Sequence, residues 1–191
     1  MTRVTARPEA HAVRQALLLL LPILACSDPT GVPSCGEARS LDPSLRLPPV
    51  TGAQTVDDQW AAIARQVPGG WGGVWLVDAQ PTIFLVHPDR RDEAVAALYA
   101  FGVGQPGFDV RSAAVLQGRW DFAQLYDWYR YINQQAWTVS GLHVTDIDEV
   151  QNRLYYGVDS GAVRQFESFL QALDLPCDLV TVEATGPAGL R

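Results

Sequence analysis

The same cycle of β-rich and helical stretches runs twice along the 191-residue sequence, and this duplication restricts the fold more than any other property of the chain. Gly72-Gly73-Val74-Trp75-Leu76-Val77-Asp78 and Thr82-Ile83-Phe84-Leu85-Val86-His87 are two β-rich runs around Ala79-Gln80-Pro81, a hairpin signal. A helix is expected from about residue 89 to 101, with Ala94, Val95, Leu98 and Phe101 inward, and Gly102-Val103-Gly104 stops it. Residues 108–116 read as a third strand. The cycle returns with Gly141-Leu142-His143-Val144-Thr145 and then Asn152-Arg153-Leu154-Tyr155-Tyr156-Gly157-Val158 as strands. A helix over 160–173 follows, with Asp159 as its cap and Val163, Phe166, Leu170 and Leu173 on one face. Cys177-Asp178-Leu179-Val180-Thr181-Val182-Glu183 closes the cycle as a strand. Three strands bury too little surface alone, so each helix is expected on one face of its small sheet. The expected fold is therefore α/β (α+β), with two tandem β-β-α-β units over about 71–118 and 141–186.

Two further helices frame these units. In residues 56–67, Trp60, Ile63, Ala64 and Val67 share one face, Asp57 or Asp58 is placed to cap the free amides, and Pro68-Gly69-Gly70 ends the helix. Residues 121–137 form an aromatic-rich helix joining the units, with Phe122, Leu125, Tyr129, Ile132 and Ala136 as its buried stripe. Tyr126, Trp128, Tyr131 and Trp137 fall partly off that stripe. Aromatics on two sides of a helix suit contact with both units at once, or an exposed anchor patch for a protein partner. The chain divides into a leader at 1–25, a tether and proline-rich arm at 26–54, the first unit with its leading helix at 55–118, the connecting helix at 119–140, and the second unit with a short tail at 141–191.

The leader carries the argument about location. The apolar run from residue 16 to 25 is far shorter than the ~20 residues that cross a bilayer, and Arg3, Arg7 and Arg14 supply the positive flank of a signal peptide. Ile23-Leu24-Ala25-Cys26 resembles the lipobox of bacterial lipoproteins. That resemblance implies lipid (palmitate-type acylation) on Cys26, cleavage before it, and stable anchoring by two or more acyl chains. Simple secretion with cleavage near Ala25 and an uncleaved cytoplasmic start are the alternatives. Ser27 rather than an aspartate follows the cysteine, so the resemblance leans toward the outer membrane where two membranes exist. Residues 26–54 hold eight prolines or glycines in 29 positions and read as a linker or an extended wrapping arm.

Taking 25 residues from 191 leaves 166, enough for one well-packed domain. The full chain carries 14 basic and 21 acidic residues, a net charge of −7, and losing the leader's three arginines and one glutamate takes it to about −9. Such a charge argues against nucleic acid as a partner. Every basic residue is arginine, which removes lysine-based Schiff-base chemistry. With Cys26 lipidated, Cys35 and Cys177 suit one disulfide in an oxidising envelope, with two separate thiols as the alternative.

The sequence holds no Gly-x-Ser-x-Gly, phosphate loop, dinucleotide fingerprint, Cys-x-x-Cys or His-Glu-x-x-His. Gly69-Gly70-Trp71-Gly72-Gly73 precedes a strand rather than a helix, so it reads as a tight turn with close backbone packing, not an anion cradle. Asp146-Ile147-Asp148-Glu149 with Asn152 offers oxygens but not calcium-loop spacing. These acids are expected at a hairpin turn with ordinary acidity. Only His87 and His143 remain as imidazole ligands beyond the leader, so no metal site and no cofactor are expected.

The second unit, from Gly141-Leu142-His143 through Asn152-Arg153-Leu154-Tyr155-Tyr156-Gly157-Val158 to Leu179-Val180-Thr181-Val182, resembles the repeated β-β-α-β modules in propeptides of alpha-lytic-type and streptogrisin-type secreted serine proteases. The first unit departs more, with a shorter turn. The resemblance implies a role in folding or inhibiting a protease in trans. Val180 and Val182 would then lie on a strand pairing edge to edge with the partner, and residues 185–191 would approach its groove. The expectation is a non-enzymatic, lipid-anchored envelope protein that binds or stabilises another envelope or membrane protein. A propeptide-like inhibitor or chaperone, and an envelope glycan hydrolase using paired carboxylates, are the alternatives.

Overall fold

A computed structural model describes residues 35–103 and 108–186. Helix α1 (Val56–Ala64) leads into the hairpin β1 (Trp71–Val77) and β2 (Gln80–Leu85), then α2 (Arg91–Ala100) and β3 (Ala114–Gln117). Helix α3 (Phe122–Ala136) leads into β4 (Leu142–Asp148) and β5 (Arg153–Val158), then α4 (Val163–Gln171) and β6 (Val180–Ala184). Two three-stranded mixed sheets result, ordered β1-β2-β3 and β4-β5-β6, each with an antiparallel hairpin and a third strand parallel to its second. The fold is α+β with two tandem β-β-α-β units.

The likeness between the units extends to detail. Each hairpin slips register by one residue at its open end, between Trp71 and Val74 in one and between Leu142 and Val144 in the other. Such a bulge sharpens the local twist. Each first strand follows a glycine with positive φ, 71° at Gly70 and 83° at Gly141. The carbonyls of those glycines accept from Val86 N at 2.9 Å and Asp159 N at 2.8 Å. Each hairpin is also preceded by a helix with a capping box, Thr55 with Asp58 in α1 and Asp121 with Gln124 in α3. The duplicated order is thus α-β-β-α-β, and α3 occupies in the second unit the place that α1 holds in the first.

One apolar cluster serves both units. Trp71, Trp120, Phe122, Ile132, Tyr156 and Phe166 are fully buried, each such side chain contributing about 2–3 kcal/mol. Phe122 of α3 stacks on Trp71 of the first unit with centroids 6.1 Å apart, while Tyr129 OH lies 3.0 Å from Thr145 Oγ1 in β4. The connecting helix therefore touches both sheets.

Several boundaries depart from expectation for identifiable reasons. The first hairpin turns at Asp78 and Ala79, both at positive φ (49° and 65°), the pattern of a two-residue type I′ turn. Pro81 sits inside β2, one residue before β3 begins to pair at Thr82, so its missing N–H interrupts no ladder. Phe101 is exposed rather than inward, because α2 ends at Ala100. Residues 110–112 form a short 3-10 turn, so β3 starts only at Ala114. Thr55, not an aspartate, is the N-cap of α1. Strand β4 runs on to Asp148, so Asp146 and Asp148 are strand residues. Asp159 does not cap α4; its carboxylate instead meets His143 Nε2 at 2.8 Å.

The arm is a wrapping segment over its described part. Leu41 is buried in the common core, Trp128 Nε1 donates to Arg39 O at 3.0 Å, and Arg130 Nη1 donates to Pro48 O at 2.8 Å. Arg46 and Arg65 both pair with Asp127, at 3.3 and 2.6 Å, joining the arm to α1 and α3. Residues from Cys35 onward cluster as one compact unit.

Candidate functional site

Cys35 and Cys177 form a disulfide with Cα atoms 5.7 Å apart, across a sequence separation of 142. It fastens the start of the described arm to the loop before β6. The Arg39 guanidinium reinforces it by donating to the Asp174 carboxylate at 3.1 Å and to the Asp174 carbonyl. Among the described residues, the trio of metal-type ligands whose donor atoms converge, Cys35, Cys177 and Asp178, has both sulfurs tied up in this bond. Cys26 lies outside the described residues. Among the described residues, no helix is long and apolar enough to cross a membrane.

The four aromatics that fall off the α3 stripe divide. Tyr126 and Trp128 are buried, not exposed: Trp128 lies under the arm, and the Tyr126 hydroxyl donates to Asp58. Burial, then that hydrogen bond, pushes the Tyr126 phenol up to about 12. Tyr131 is half-buried, its ring edge-on to Trp128 with centroids 6.0 Å apart. Trp137, just past the end of α3, is 58 % exposed and alone among the four offers a large open face. The arm explains the difference, because residues 39–48 cover the second side of α3 that a two-sided helix would otherwise present. Val180 and Val182 are half-buried on β6, which is the last strand of its sheet and pairs only with β5 among the described strands.

The joint between the units is built around Asn152, in the β4–β5 turn. Its φ of 53° is left-handed, a conformation asparagine tolerates better than most side chains. The side chain is buried, and its Oδ1 accepts from Arg119 N and Trp120 N, both at 2.8 Å. Its Nδ2 donates to Trp120 O at 2.8 Å and to Gly72 O at 3.4 Å. A buried amide with all its bonding capacity engaged fixes one geometry. Gly72 and Gly73 make room for that turn: a Cβ on Gly72 would lie 2.5 Å from both Asn152 Nδ2 and Trp120 O, and one on Gly73 would lie 2.8 Å from Glu149 Cγ. The glycine-rich stretch 69–73 is thus a close-packing element.

Glu149, pressed against Gly73, departs from the ordinary acidity expected of the hairpin carboxylates. Burial first, then the neighbouring charges of Asp146, Asp57 and Asp148, raise its carboxyl from the usual value near 4.5 to about 7. Asp57 and Asp146 are also raised, chiefly by burial. Among the described residues, no arginine or histidine pairs with any of the three, and no three of these acids bring their oxygens within 4.8 Å of one another. Such a group can carry a proton near neutrality. Its burial depends on a glycine 76 positions earlier, which no local pattern announces.

No family model matches the chain, and a search of curated proteins returns no match.

Proposed function

We propose that the chain is a non-enzymatic, membrane-anchored protein of the bacterial cell envelope that binds or stabilises another protein, as an accessory subunit of a membrane complex, with lipid on Cys26 as its anchor. The observation that carries this reading is the Cys35–Cys177 disulfide, because such bonds persist in oxidising compartments. The same bond sets the reach of the tether. Eight residues lie between Cys26 and Cys35, and the nine residue-to-residue steps span at most about 30 Å when extended. An anchor there holds the fold close to the bilayer, where a partner in the same membrane meets it at high effective concentration. The strong net negative charge agrees with a protein partner rather than nucleic acid.

Mass spectrometry of the chain purified from its host tests the anchor: the expected product begins at Cys26, carries acyl chains and has no free thiol. An intact leader or an unacylated terminus would overturn the anchor. Affinity purification in mild detergent tests the partner, with one protein expected in stoichiometric amount; recovery of the chain alone would sink the accessory role.

The outer edge of β6 favours a second reading, a propeptide-like inhibitor or folding helper of a secreted serine protease. A strand edge that pairs with no other described strand suits strand addition to a partner sheet. That role predicts inhibition in trans that weakens when residues 184–191 are removed. No effect on any co-expressed secreted protease would reject it.

A further inference from the structure

The proline-rich arm, α1 and α3 meet around a cavity of about 500 Å³, a size that suits a small-molecule site. Its lining runs through residues 46–66 and 126–130. Leu47, Pro49 and Val50 supply an apolar part, with Leu47 and Val50 half-buried. Arg46, Arg65 and Arg130 supply positive charge, and two acids, Asp58 and Asp127, line the cavity as well. In a chain with 14 basic and 21 acidic residues, this lining reverses the ratio.

The carboxylate acceptors here are spent and the guanidinium donors are not. Asp58 Oδ2 accepts from Thr55 N at 2.7 Å and from Thr55 Oγ1 at 2.8 Å, while its Oδ1 accepts from the Tyr126 hydroxyl. Asp127 gives one oxygen to Arg65 and the other to Arg46. Each guanidinium is held at one nitrogen: Arg46 by Nε and Arg65 by Nη2, both on Asp127, and Arg130 by Nη1 on Pro48 O. Arg130 also lies 5.6 Å over the Tyr126 ring. Burial dominates the Tyr126 phenol, but the charges of Arg130 and Arg65 both pull toward its ionised form, so these two guanidiniums converge on one spot. A guanidinium carries five N–H donors, and most of those on the three arginines have no partner among the described residues. The tethers place the side chains in advance, which lowers the ordering cost of binding.

We propose that this cavity binds an organic carboxylate, its charged head held by Arg46, Arg65 and Arg130 and its apolar body lying against Leu47, Pro49 and Val50. Three guanidiniums and two carboxylates leave one positive charge, which a single carboxylate neutralises and a phosphate dianion overshoots. The planar fork of arginine matches the two oxygens of that head. A free organic acid and the carboxyl terminus of a polypeptide ending in an apolar residue present the same group. The inference stands apart from both the lipid anchor and the accessory role.

The test is a titration of the isotope-labelled full chain, purified from its host in mild detergent and followed by magnetic resonance through the arginine Nε–H signals. Isocaproate should shift the Arg46, Arg65 and Arg130 signals with one saturable, millimolar affinity, and the uncharged isocaproamide should bind at least tenfold more weakly. A short glycine-serine peptide ending in leucine separates the two sources: with its terminus free, binding at least as tight as isocaproate assigns the site to a polypeptide end, and weaker binding assigns it to a free acid. Arg65→Gln should weaken isocaproate at least tenfold, Arg65→Lys less, and Arg164→Gln, exposed on α4 and outside the lining, not at all. The disulfide and the melting temperature are checked in each variant, and should Arg65→Gln fail to fold, the comparison of acid with amide on the unsubstituted chain decides alone. Equal binding of acid and amide, saturation of the same signals by inorganic phosphate at the same concentration, unchanged affinity in folded Arg65→Gln, or no saturable shift would each overturn the proposal.

Discussion

The two hairpins share a bulge at the same end, yet their turns meet different surroundings. The β1–β2 turn, Asp78 and Ala79, is exposed and satisfied by its own type I′ geometry. The β4–β5 turn is driven into the first unit, where Asn152 bonds to Gly72, Arg119 and Trp120. The bulges differ to match. In the first unit the bulge is Gly72 and Gly73, bare of side chains because a turn packs on them; in the second it includes His143, whose side chain reaches out to Asp159. A duplicated element thus became a joint on one side and stayed a free surface on the other, so equivalent substitutions should have unequal effects.

The largest asymmetry is expected at the bulges. Gly72→Ala forces a methyl group into a buried amide and a backbone carbonyl and should cost about 4 kcal/mol in denaturant unfolding. His143→Ala, at the half-buried counterpart, should cost less than about 1 kcal/mol. Next come the turns. Asn152→Ala strands the buried amides of Arg119 and Trp120 and should lower stability by about 3 kcal/mol, while Asp78→Ala should stay within about 0.5 kcal/mol. Equal losses at either pair would break the comparison.

Glu149 sharpens it through pH. Its folded carboxyl titrates near 7 and its unfolded one near 4.5, so between those values the folded chain keeps a proton that the unfolded chain has released. Stability should therefore fall as pH rises through that window and level off above it. Glu149→Gln should flatten this slope, gaining about 1 kcal/mol at pH 8 and little at pH 5, a figure discounted because the carboxyl is only part-buried. Thermal melts across pH 4.5–8 would show it. The smallest effect is at the free turn, where Ala79→Gly removes left-handed strain from an exposed residue and should raise stability by about 0.5 kcal/mol.

The periodicity of residues 71–186 carried most of the fold, because β-rich runs and helical faces are local properties. Pro81 misled the hairpin boundary for the same reason: a proline reads as a turn until the strand beside it is known to begin pairing one residue later. The status of α3 was hidden in a similar way. Its aromatic second face looks exposed until residues 39–48 are folded over it, and those residues have the composition of a linker. Cysteine count alone pointed to Cys35 and Cys177. Asn152 and Glu149 owe their character to Trp120 and Gly73, 32 and 76 positions away in sequence, and no spacing rule spans such distances.

The disulfide has a mechanical consequence. By bridging residues 142 positions apart, it turns both hairpins, α3 and the arm into part of one covalent ring. A pull arriving from the amino-terminal side crosses the sulfur atoms directly to the start of β6, bypassing everything between. Tension that would peel an unbridged domain from its first residue leaves both joined units slack.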